Sequence, residues 1–449
     1  MTGGGRGAAP NRESEENMAT ANNVEPLRAR KANRIDCAPT GPGTPAGNYL
    51  RSFWQPVYHG ADLAPGQAVP LRIMSVDYTL YRSAGGQVHL TQGRCPHRGT
   101  QLSTGWVEGD ELRCFYHGWK FDAAGKCVEQ PAEQSAFIDR ISLQTWPTRE
   151  YLGLVFAYLG TGEAPDFPRY PQFEQFRGLL EIDSYSRDCN YFQNLENALD
   201  MAHVGFVHGD NRASFEGIGL GKQLQAVESD WGITYTFQRG DGARRVQQFG
   251  MPNIFYMTAL PNEPDVDWQE SLFWWVPIDD ARHMQFSLHR VPIRDEAMLR
   301  FKQRREQRRS EIDIAHQDLC EDILDGVARL QDADPRRVDL VRLQDDIAQI
   351  GQGRLADRDD ERLGRSDIGV AVTRRIWTRE MTAFLEGQPL KAWTQTADIV
   401  PRVWGLSGDA GEKAMGRAEP GHEAEIIDIR PFVEIQVQLK ALHGAATRR

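Results

Sequence analysis

Two short cysteine–histidine pairs constrain this chain of 449 residues more than any other feature of its sequence. The pairs stand in the segments Cys95-Pro-His97-Arg-Gly99 and Cys114-Phe-Tyr-His117-Gly-Trp119. Each pair offers one thiolate and one imidazole, and each is followed by a glycine that permits a tight turn. Cysteine and histidine at such short spacing are typical metal ligands. We therefore expect this part of the chain to fold around a metal.

A structural zinc site is the simplest alternative, because zinc accepts two cysteines and two histidines. Zinc fingers, however, pair cysteine with cysteine and place both histidines on a helix, whereas each pair here is mixed and lies among predicted strands. The pattern instead resembles the Rieske [2Fe-2S] motif. That resemblance implies that one iron is bound by Cys95 and Cys114 and the other by His97 and His117. The residue after Gly99 is not the additional cysteine of respiratory Rieske proteins, so the resemblance favours the oxygenase branch.

The composition of the chain limits which partners and which compartment we expect for it. The chain has 52 basic and 63 acidic residues and a net charge of -11, which argues against nucleic-acid binding, since phosphate affinity needs a basic surface. No apolar run approaches the roughly 18 residues of a membrane span, and the first residues lack the basic and apolar segments typical of a signal peptide, so we expect neither feature. The 6 cysteines are few for this length. We expect a cytoplasmic protein that does not bind membranes.

The pattern of apolar and polar residues along the sequence predicts a tail followed by two domains. Residues 1–45 are poor in apolar side chains and are predicted to be disordered, with Met18 as an alternative start. The expected fold class is α+β, with a small all-β Rieske [2Fe-2S] domain at residues 46–165. A larger catalytic domain, an antiparallel sheet flanked by helices, is expected at residues 166–449. The predicted strands lie at 69–74, 77–81, 87–91, 111–114, 151–159, 232–239, 271–276 and 434–439, and the predicted helices at 190–205, 298–349 and 367–384.

A second group of polar residues follows in the larger domain. Glu196, Asp200 and His203 are spaced to share one face of a helix. His208 comes five residues after His203, which turns it about 140° away in an unbroken helix. The two imidazoles can converge if the helix ends or bulges near Gly205. The alternative is a polar helix face with ordinary histidines.

This histidine motif, found downstream of the first, resembles the catalytic domain of Rieske non-haem iron ring-hydroxylating oxygenases. The resemblance implies that His203 and His208 bind a mononuclear Fe(II) together with a distant carboxylate, leaving positions open for O2. It also implies that Asp200 bridges an iron-ligand histidine to the partner subunit's His117. Electrons would then pass between subunits of a ring-shaped oligomer, for which we expect a homotrimer.

The distant carboxylate is predicted to be Asp345. The segment from Gln344 to Asp367 looks like the phthalate dioxygenase-type segment, in which the aspartate after glutamine is the iron ligand. Asp346 is the immediate rival. A solvated acidic pair is the alternative for both.

The predicted function is that of the terminal oxygenase component of a multicomponent, NAD(P)H-dependent oxygenase that uses O2 on an aromatic acid. Electrons would come from a separate reductase or ferredoxin, because no G-x-G-x-x-G follows a predicted strand. Residues 95–105 look similar to enzymes of aromatic acids, which favours O-demethylation or other monooxygenation of a methoxylated, lignin-derived ring. Phthalate-type cis-dihydroxylation uses the same ligands and stays open. A non-catalytic Rieske electron carrier is the alternative of another class.

Three weaker features have both a structural and a functional interpretation. The basic run Arg300–Arg309 is a solvated helix face or a docking surface for an acidic electron donor. The side chains of Asn190 and Gln193 either cap a helix or reach into the expected substrate pocket. An aromatic group packs in the core or forms a wall for a planar substrate. Its members are Phe255, Tyr256, Phe273, Trp274 and Trp275.

Overall fold

The computed structural model describes residues 36–208, 224–238, 244–259, 266, 269–394 and 421–444. Most of the predicted tail, including Met18, lies outside the described residues. Residues 36–45 of that tail are nevertheless packed: Ala38 and Thr40 are buried, and the Thr40 amide donates to Asp280 at 2.8 Å. The expected boundary at residue 45 is therefore wrong for this stretch, because its backbone finds hydrogen-bond partners far along the chain.

The first part of the described chain is built from short antiparallel strands. These strands are β1 (Trp54–His59), β2 (Ala68–Ile73), β3 (Val76–Arg82), β4 (Val88–Gln92), β5 (Trp106–Glu108), β6 (Glu111–Arg113), β7 (Lys120–Phe121), β8 (Cys127–Glu129), β9 (Thr145–Trp146), β10 (Thr148–Tyr151) and β11 (Leu154–Tyr158). They form the sheets β1-β11-β10, β2-β3-β4-β9 and β5-β6-β7-β8. The expectation of a small all-β domain is confirmed. We call residues 46–165 the β lobe.

The β lobe has its own core beneath the cysteine–histidine pairs. Cys95 and Cys114 are buried in it with Leu112, Trp119 and Phe121. Apolar side chains on short strands bury enough surface here to hold two loops in place. The core thus supports the loops that carry the predicted cluster ligands.

The second part of the chain is organised around one large sheet. Its strands are β12 (Leu179–Arg187), β13 (Gln225–Glu228), β14 (Gly232–Gln238), β15 (Arg244–Gly250), β16 (Ile254–Ala259), β17 (Gln269–Asp279), β18 (Arg282–Val291) and β19 (Glu425–Asp428). Their order is β13-β14-β15-β16-β17-β18-β12-β19. All the neighbours pair antiparallel except β12 and β19. The expected α+β class is confirmed, and the boundary near residue 165 stays a prediction, since the described residues from Asp36 onward form one compact unit.

Helices complete the described chain. They are α1 (Pro45–Arg51), α2 (Pro171–Glu174), α3 (Tyr191–Ala198), α4 (Ala202–Val207), α5 (Asp295–Glu311), α6 (His316–Leu324), α7 (Leu340–Ile350), α8 (Ile368–Leu385) and α9 (Phe432–Leu442). Within the described ranges, none of them has the length and apolar character of a membrane-spanning helix.

The large sheet has two different faces. On one, which we call the helix face, Arg187 contacts α7 through Asp346, and His283 contacts α3 through Asn194. On the other, the lobe face, Trp274 packs against Phe156 of the β lobe with ring centroids 5.8 Å apart. Because side chains alternate along a strand, the register of the sheet assigns every residue of β17 and β18 to one of these faces.

The expected strand at 434–439 is wrong, because these residues belong to α9. The apolar residues there alternate, which favours a strand, but the buried side chains of α9 include Glu434 and Gln438 at helical spacing. Both polar side chains are partnered: Glu434 accepts from Arg342 at 2.7 Å, and Gln438 bonds the backbone carbonyl of Ser184. Residues of β12 beyond its pairing with β19 are thereby covered by a helix.

The basic run Arg300–Arg309 lies on α5, and several of its members are paired within the chain. Arg305 donates to Glu181 at 2.5 Å, and Lys302 bonds Glu425. Arg309 donates to the carbonyl of Arg430 at 2.8 Å. These contacts fasten α5 to the edge of the large sheet, so the structure gives the donor-docking interpretation no support.

The contacts of Glu196 predict that its carboxylate holds α3 in place. Its carboxylate, 10% exposed, is bonded by Arg358 at 2.9 Å and by Arg374 of α8 at 2.5 Å. Replacing it with alanine leaves the partly buried Arg358 without its anion and Arg374 with Glu361 as its remaining carboxylate partner. We expect Glu196→Ala to lower the free energy of unfolding by about 3 kcal/mol in denaturant titration. The exposed Glu163 is the matched control, and equal losses in Glu163→Ala and Glu196→Ala would contradict this role.

Candidate active site

The two cysteine–histidine loops of the β lobe have the same backbone geometry. The Gly99 amide donates to the Cys95 carbonyl at 2.9 Å, and the Gly118 amide donates to the Cys114 carbonyl at 3.1 Å. Each cysteine amide donates to the backbone carbonyl of the fifth residue after it, which is Thr100 in one loop and Trp119 in the other, at 2.8 Å in both. The glycines have φ of 75° and 74°, in the left-handed region that favours glycine. The matched loops therefore present their side chains as a pair.

The side chains of these loops fit a [2Fe-2S] cluster. The His97 and His117 ring centroids are 4.3 Å apart. Cys95 and Cys114 are buried, and the hydrogen bond between their side chains lowers the pKa of the Cys114 thiol and raises that of Cys95, so the two sulfurs are in contact. His97 Nδ1 is buried and has no hydrogen-bond partner among the described residues. The two imidazoles are thus adjacent and so are the two sulfurs, and their binding of one cluster stays a prediction.

The helix expected from Asn190 to Gly205 is broken earlier than its sequence predicts. Helix α3 ends at Ala198 and α4 begins at Ala202, so the break lies before His203 rather than at Gly205. Asp200 Oδ1 accepts from the Ala202 amide at 2.9 Å at the start of α4. The expected shared helix face of Glu196, Asp200 and His203 is therefore wrong. The break and the end of α4 at Val207 let both histidines turn toward the same place.

Three side chains converge at that place from two elements and a helix end. Asp345 Oδ1 lies 3.6 Å from His203 Nε2 and 3.4 Å from His208 Nε2. One ligand atom from each of these residues lies within 4.8 Å of the others. Hydrogen bonding to His208 and the nearby positive charges outweigh burial and lower the pKa of Asp345, which favours the ionised form. Two imidazoles and one carboxylate are the donor set of non-haem Fe(II) sites, so these residues fit that ion.

The adjacent Asp346 takes part in a different set of contacts. Its carboxylate accepts from Arg187 Nε at 2.5 Å and lies 2.5 Å from His316 Nδ1, and all three side chains are almost completely buried. Residues next to each other on a helix point about 100° apart. The structure thus groups Asp345 with the histidines and directs Asp346 toward β12 and α6.

Asp200 lies beside His203 in the described chain. Its Oδ2 is 3.8 Å from His203 Nδ1, and that nitrogen has no hydrogen-bond partner among the described residues. The Asp200 side chain is 26% exposed, so one side of it can be approached from outside this chain. The arrangement is compatible with a bridging carboxylate, which stays a prediction.

Two residues of the site were missed by the sequence interpretation. Gln344 Oε1 lies 2.9 Å from His208 Nδ1, and Asn197 donates to Asp345 Oδ1 at 3.3 Å. Asn197 follows Glu196 in the quoted helix, but no spacing rule connects it to a residue near 345. By contrast, Asn190 caps α3, and Gln193 bonds the carbonyls of Gln349 and Gly353. Those two side chains are structural.

The aromatic group divides between the two faces of the large sheet. Phe255, Phe273 and Trp275 lie on the helix face, the side on which Asp346 and its neighbour Asp345 lie. Tyr256 and Trp274 lie on the lobe face, where they pack in the core. Core packing is thus confirmed for Tyr256 and Trp274, and the wall for a planar substrate stays a prediction for the other three residues.

Comparison with known proteins agrees with this geometry. Residues 53–147 match the family described as the Rieske [2Fe-2S] domain. The chain is 32% identical to the 5,5'-dehydrodivanillate O-demethylase oxygenase subunit of Sphingobium sp., over 79% of this chain and 81% of that one. It is 30% identical to the phenoxybenzoate dioxygenase subunit alpha of Ectopseudomonas oleovorans, over 80% of this chain and 88% of that one. The oxygenase in a complex with ferredoxin in carbazole 1,9a-dioxygenase has the same fold, with a TM-score of 0.53 and 20% identity over 76% of this chain and 93% of that one.

The contact between Gln344 and His208 provides a test of the metal site. Gln344→Leu removes the acceptor that holds the His208 ring with Nδ1 protonated and Nε2 toward Asp345. We expect the affinity for a mononuclear metal ion to fall about tenfold or more, measured by metal titration of the chelator-treated protein. The absorbance of the cluster in the β lobe should not change. Gln352→Leu, at an exposed position just after the same helix, is the matched control. Equal metal affinity in Gln344→Leu and the unmodified protein would exclude this role.

Proposed function

This chain belongs to the Rieske non-haem iron oxygenases, and from that membership we propose that it demethylates a methoxylated, lignin-derived aromatic acid. It is an oxidoreductase and the terminal oxygenase component of its system. Support for the reaction comes from the relative that is 32% identical over four fifths of this chain and is named an O-demethylase. The membership also argues against the alternative of a non-catalytic electron carrier.

The observation that carries the proposal is the convergence of His203, His208 and Asp345 within 4.8 Å. We propose that these residues hold a mononuclear Fe(II) and that the two loops of the β lobe hold the [2Fe-2S] cluster. When bound, the cluster would supply electrons and the Fe(II) would activate O2. The chain itself would orient the ligands: Gln344 fixes the His208 ring, and Asn197 bonds the Asp345 carboxylate.

In the proposed reaction, one oxygen atom of O2 is inserted into a C–H bond of the methoxy group, and the other leaves as water after accepting two electrons and two protons. The resulting hemiacetal breaks down to a phenol and formaldehyde. Phe255, Phe273 and Trp275 form an apolar wall on the helix face, in which the Phe273 and Trp275 rings are nearly parallel, and we propose that a planar ring lies against it. This wall supports an aromatic substrate.

A separate protein is proposed to supply the electrons, a reductase that uses NAD(P)H or a ferredoxin. Support comes from the same-fold oxygenase whose structure contains ferredoxin. We further propose a homotrimer in which Asp200 bonds His203 and the partner subunit's His117. The exposed side of the Asp200 carboxylate supports this arrangement.

Formaldehyde release tests the reaction. The purified chain, a generic reductase, NADH and O2 are incubated with a set of methoxylated and unsubstituted aromatic acids. We expect formaldehyde and the corresponding phenol in equal amounts. Formation of a cis-diol without formaldehyde would contradict O-demethylation and indicate ring dihydroxylation. The relationship to a phenoxybenzoate dioxygenase makes that reaction the second candidate.

A variant of the proposed iron ligand tests the assignment of the site. Asp345→Asn should lose the mononuclear iron and reduce formaldehyde release at least a hundredfold, while the cluster keeps its absorbance. The matched control is Asp332→Asn, since Asp332 is exposed and bonds only the exposed Arg329 among the described residues. Retention of activity in Asp345→Asn would contradict the ligand assignment.

A further inference from the structure

The helix face of the large sheet is open near its centre. Residues 269–278 of β17 are buried except Phe273, and residues 282–291 of β18 are buried except His289. Both strands are hydrogen-bonded to neighbours on either side, so this partial exposure comes from one face of the sheet. The Phe273 and His289 rings meet edge to face with centroids 5.6 Å apart. They therefore line the same opening.

His289 presents a fixed polar atom to that opening. Its Nδ1 lies 2.8 Å from the hydroxyl of Ser271, a buried residue paired with it across the two strands. Burial lowers the pKa of His289 to about 4, and Asp183 opposes this effect while Arg305 and Arg342 add to it. The ring is thus neutral near pH 7 and carries one N–H. No described residue hydrogen-bonds its Nε2.

An aromatic wall runs from His289 toward the metal site. Phe273 and Trp275 are nearly parallel, with 6° between the ring planes. Trp275 donates from Nε1 to Gln285, which also accepts from the Tyr185 hydroxyl, both at 2.8 Å. Gln285 and His289 are separated by four residues on β18, roughly 13 Å along a strand.

The far end of this wall is linked by hydrogen bonds to α7, the helix that carries Asp345. The Tyr185 hydroxyl accepts from Arg187 at 3.3 Å, and Arg187 holds Asp346, the neighbour of the proposed ligand Asp345. The wall therefore begins near α7, the helix that carries Asp345, and ends at the imidazole of His289. A single benzoic acid is too short to lie at both ends.

We propose that His289, oriented by Ser271, binds a carboxylate on the distal ring of a two-ring aromatic acid whose other ring lies at the proposed iron. The Ser271 hydroxyl donates to Nδ1, so that Nε2 carries the proton and donates to the carboxylate oxygen. The rings lie along Phe273 and Trp275. This assignment rests on the proposed function and deepens it by naming the substrate class. His289 makes no bond with the reacting atoms and acts as a specificity-determining residue.

Kinetics with substrates of two lengths test the assignment. The probes are 5,5'-dehydrodivanillate, with two rings, and vanillate, with one. In His289→Phe we expect KM for the two-ring acid to rise about tenfold or more, the effect of losing a hydrogen bond to a charged group. Its kcat and both constants for vanillate should change less than about twofold. His289→Gln, which keeps a donor, should recover part of the loss. His422→Phe, at a histidine just before β19 that bonds Arg177, is the control.

A binding measurement separates this assignment from the proposed reaction. Calorimetric titration of the cluster-loaded protein with 5,5'-dehydrodivanillate should show a Kd about tenfold higher in His289→Phe, with unchanged cluster absorbance. Such a shift without formaldehyde release by the unmodified protein would support the binding site and reject O-demethylation. Formaldehyde release from both acids with no shift in KM or Kd would overturn the binding site and leave the reaction intact.

Equal losses for both probes would also overturn it, since they indicate general damage. If His289→Phe does not fold, Ser271→Ala replaces it. Loss of the bond that orients the ring should then raise KM for the two-ring acid alone, and an unchanged KM would reject the proposal.

Discussion

The buried ion pair between Arg187 and Asp346 is the contact on which the rest of the catalytic part depends. It joins β12 to α7 at 2.5 Å with almost no solvent exposure of either side chain. A charge buried in this way is stable only while its partner is present. His316 contacts the second oxygen of Asp346, so the orientation of α7 is held from two sides. Because Asp346 is directed into the protein, the preceding residue on the helix, Asp345, faces the histidines.

In the β lobe, backbone hydrogen bonds rather than buried charges hold the proposed ligands in place. Two loops repeat the same hydrogen bonds around Cys95 and Cys114, and a core of apolar side chains lies beneath them. The sulfurs are buried while the two histidines remain partly exposed. A redox group held this way is anchored from the inside and reachable from the outside. That arrangement suits the transfer of electrons to and from a cluster.

Local sequence was sufficient for the β lobe because the residues of each loop are close together in the chain. It was less reliable where buried polar groups decide the structure. The alternation around residues 434–439 favours a strand, but Glu434 and Gln438 are buried because Arg342 and β12 provide hydrogen-bond partners. The helix likewise breaks earlier than the sequence predicts, since the Asp200 carboxylate accepts from the Ala202 amide where a new helix begins. Patterns of apolar residues do not record such partners.

The sequence by itself determined the α+β class with a small all-β Rieske domain, and it predicted the cysteine–histidine ligand set and the candidate histidines of the second site. Each of these depends on short spacings or on texture within one segment. Only the tertiary structure separated Asp345 from Asp346, because their different surroundings come from residues of α4, α6 and β12. It also divided the aromatic residues between two faces and exposed His289 beside Phe273. Such choices depend on strand register and on contacts between residues more than a hundred positions apart, for which one sequence carries no local signal.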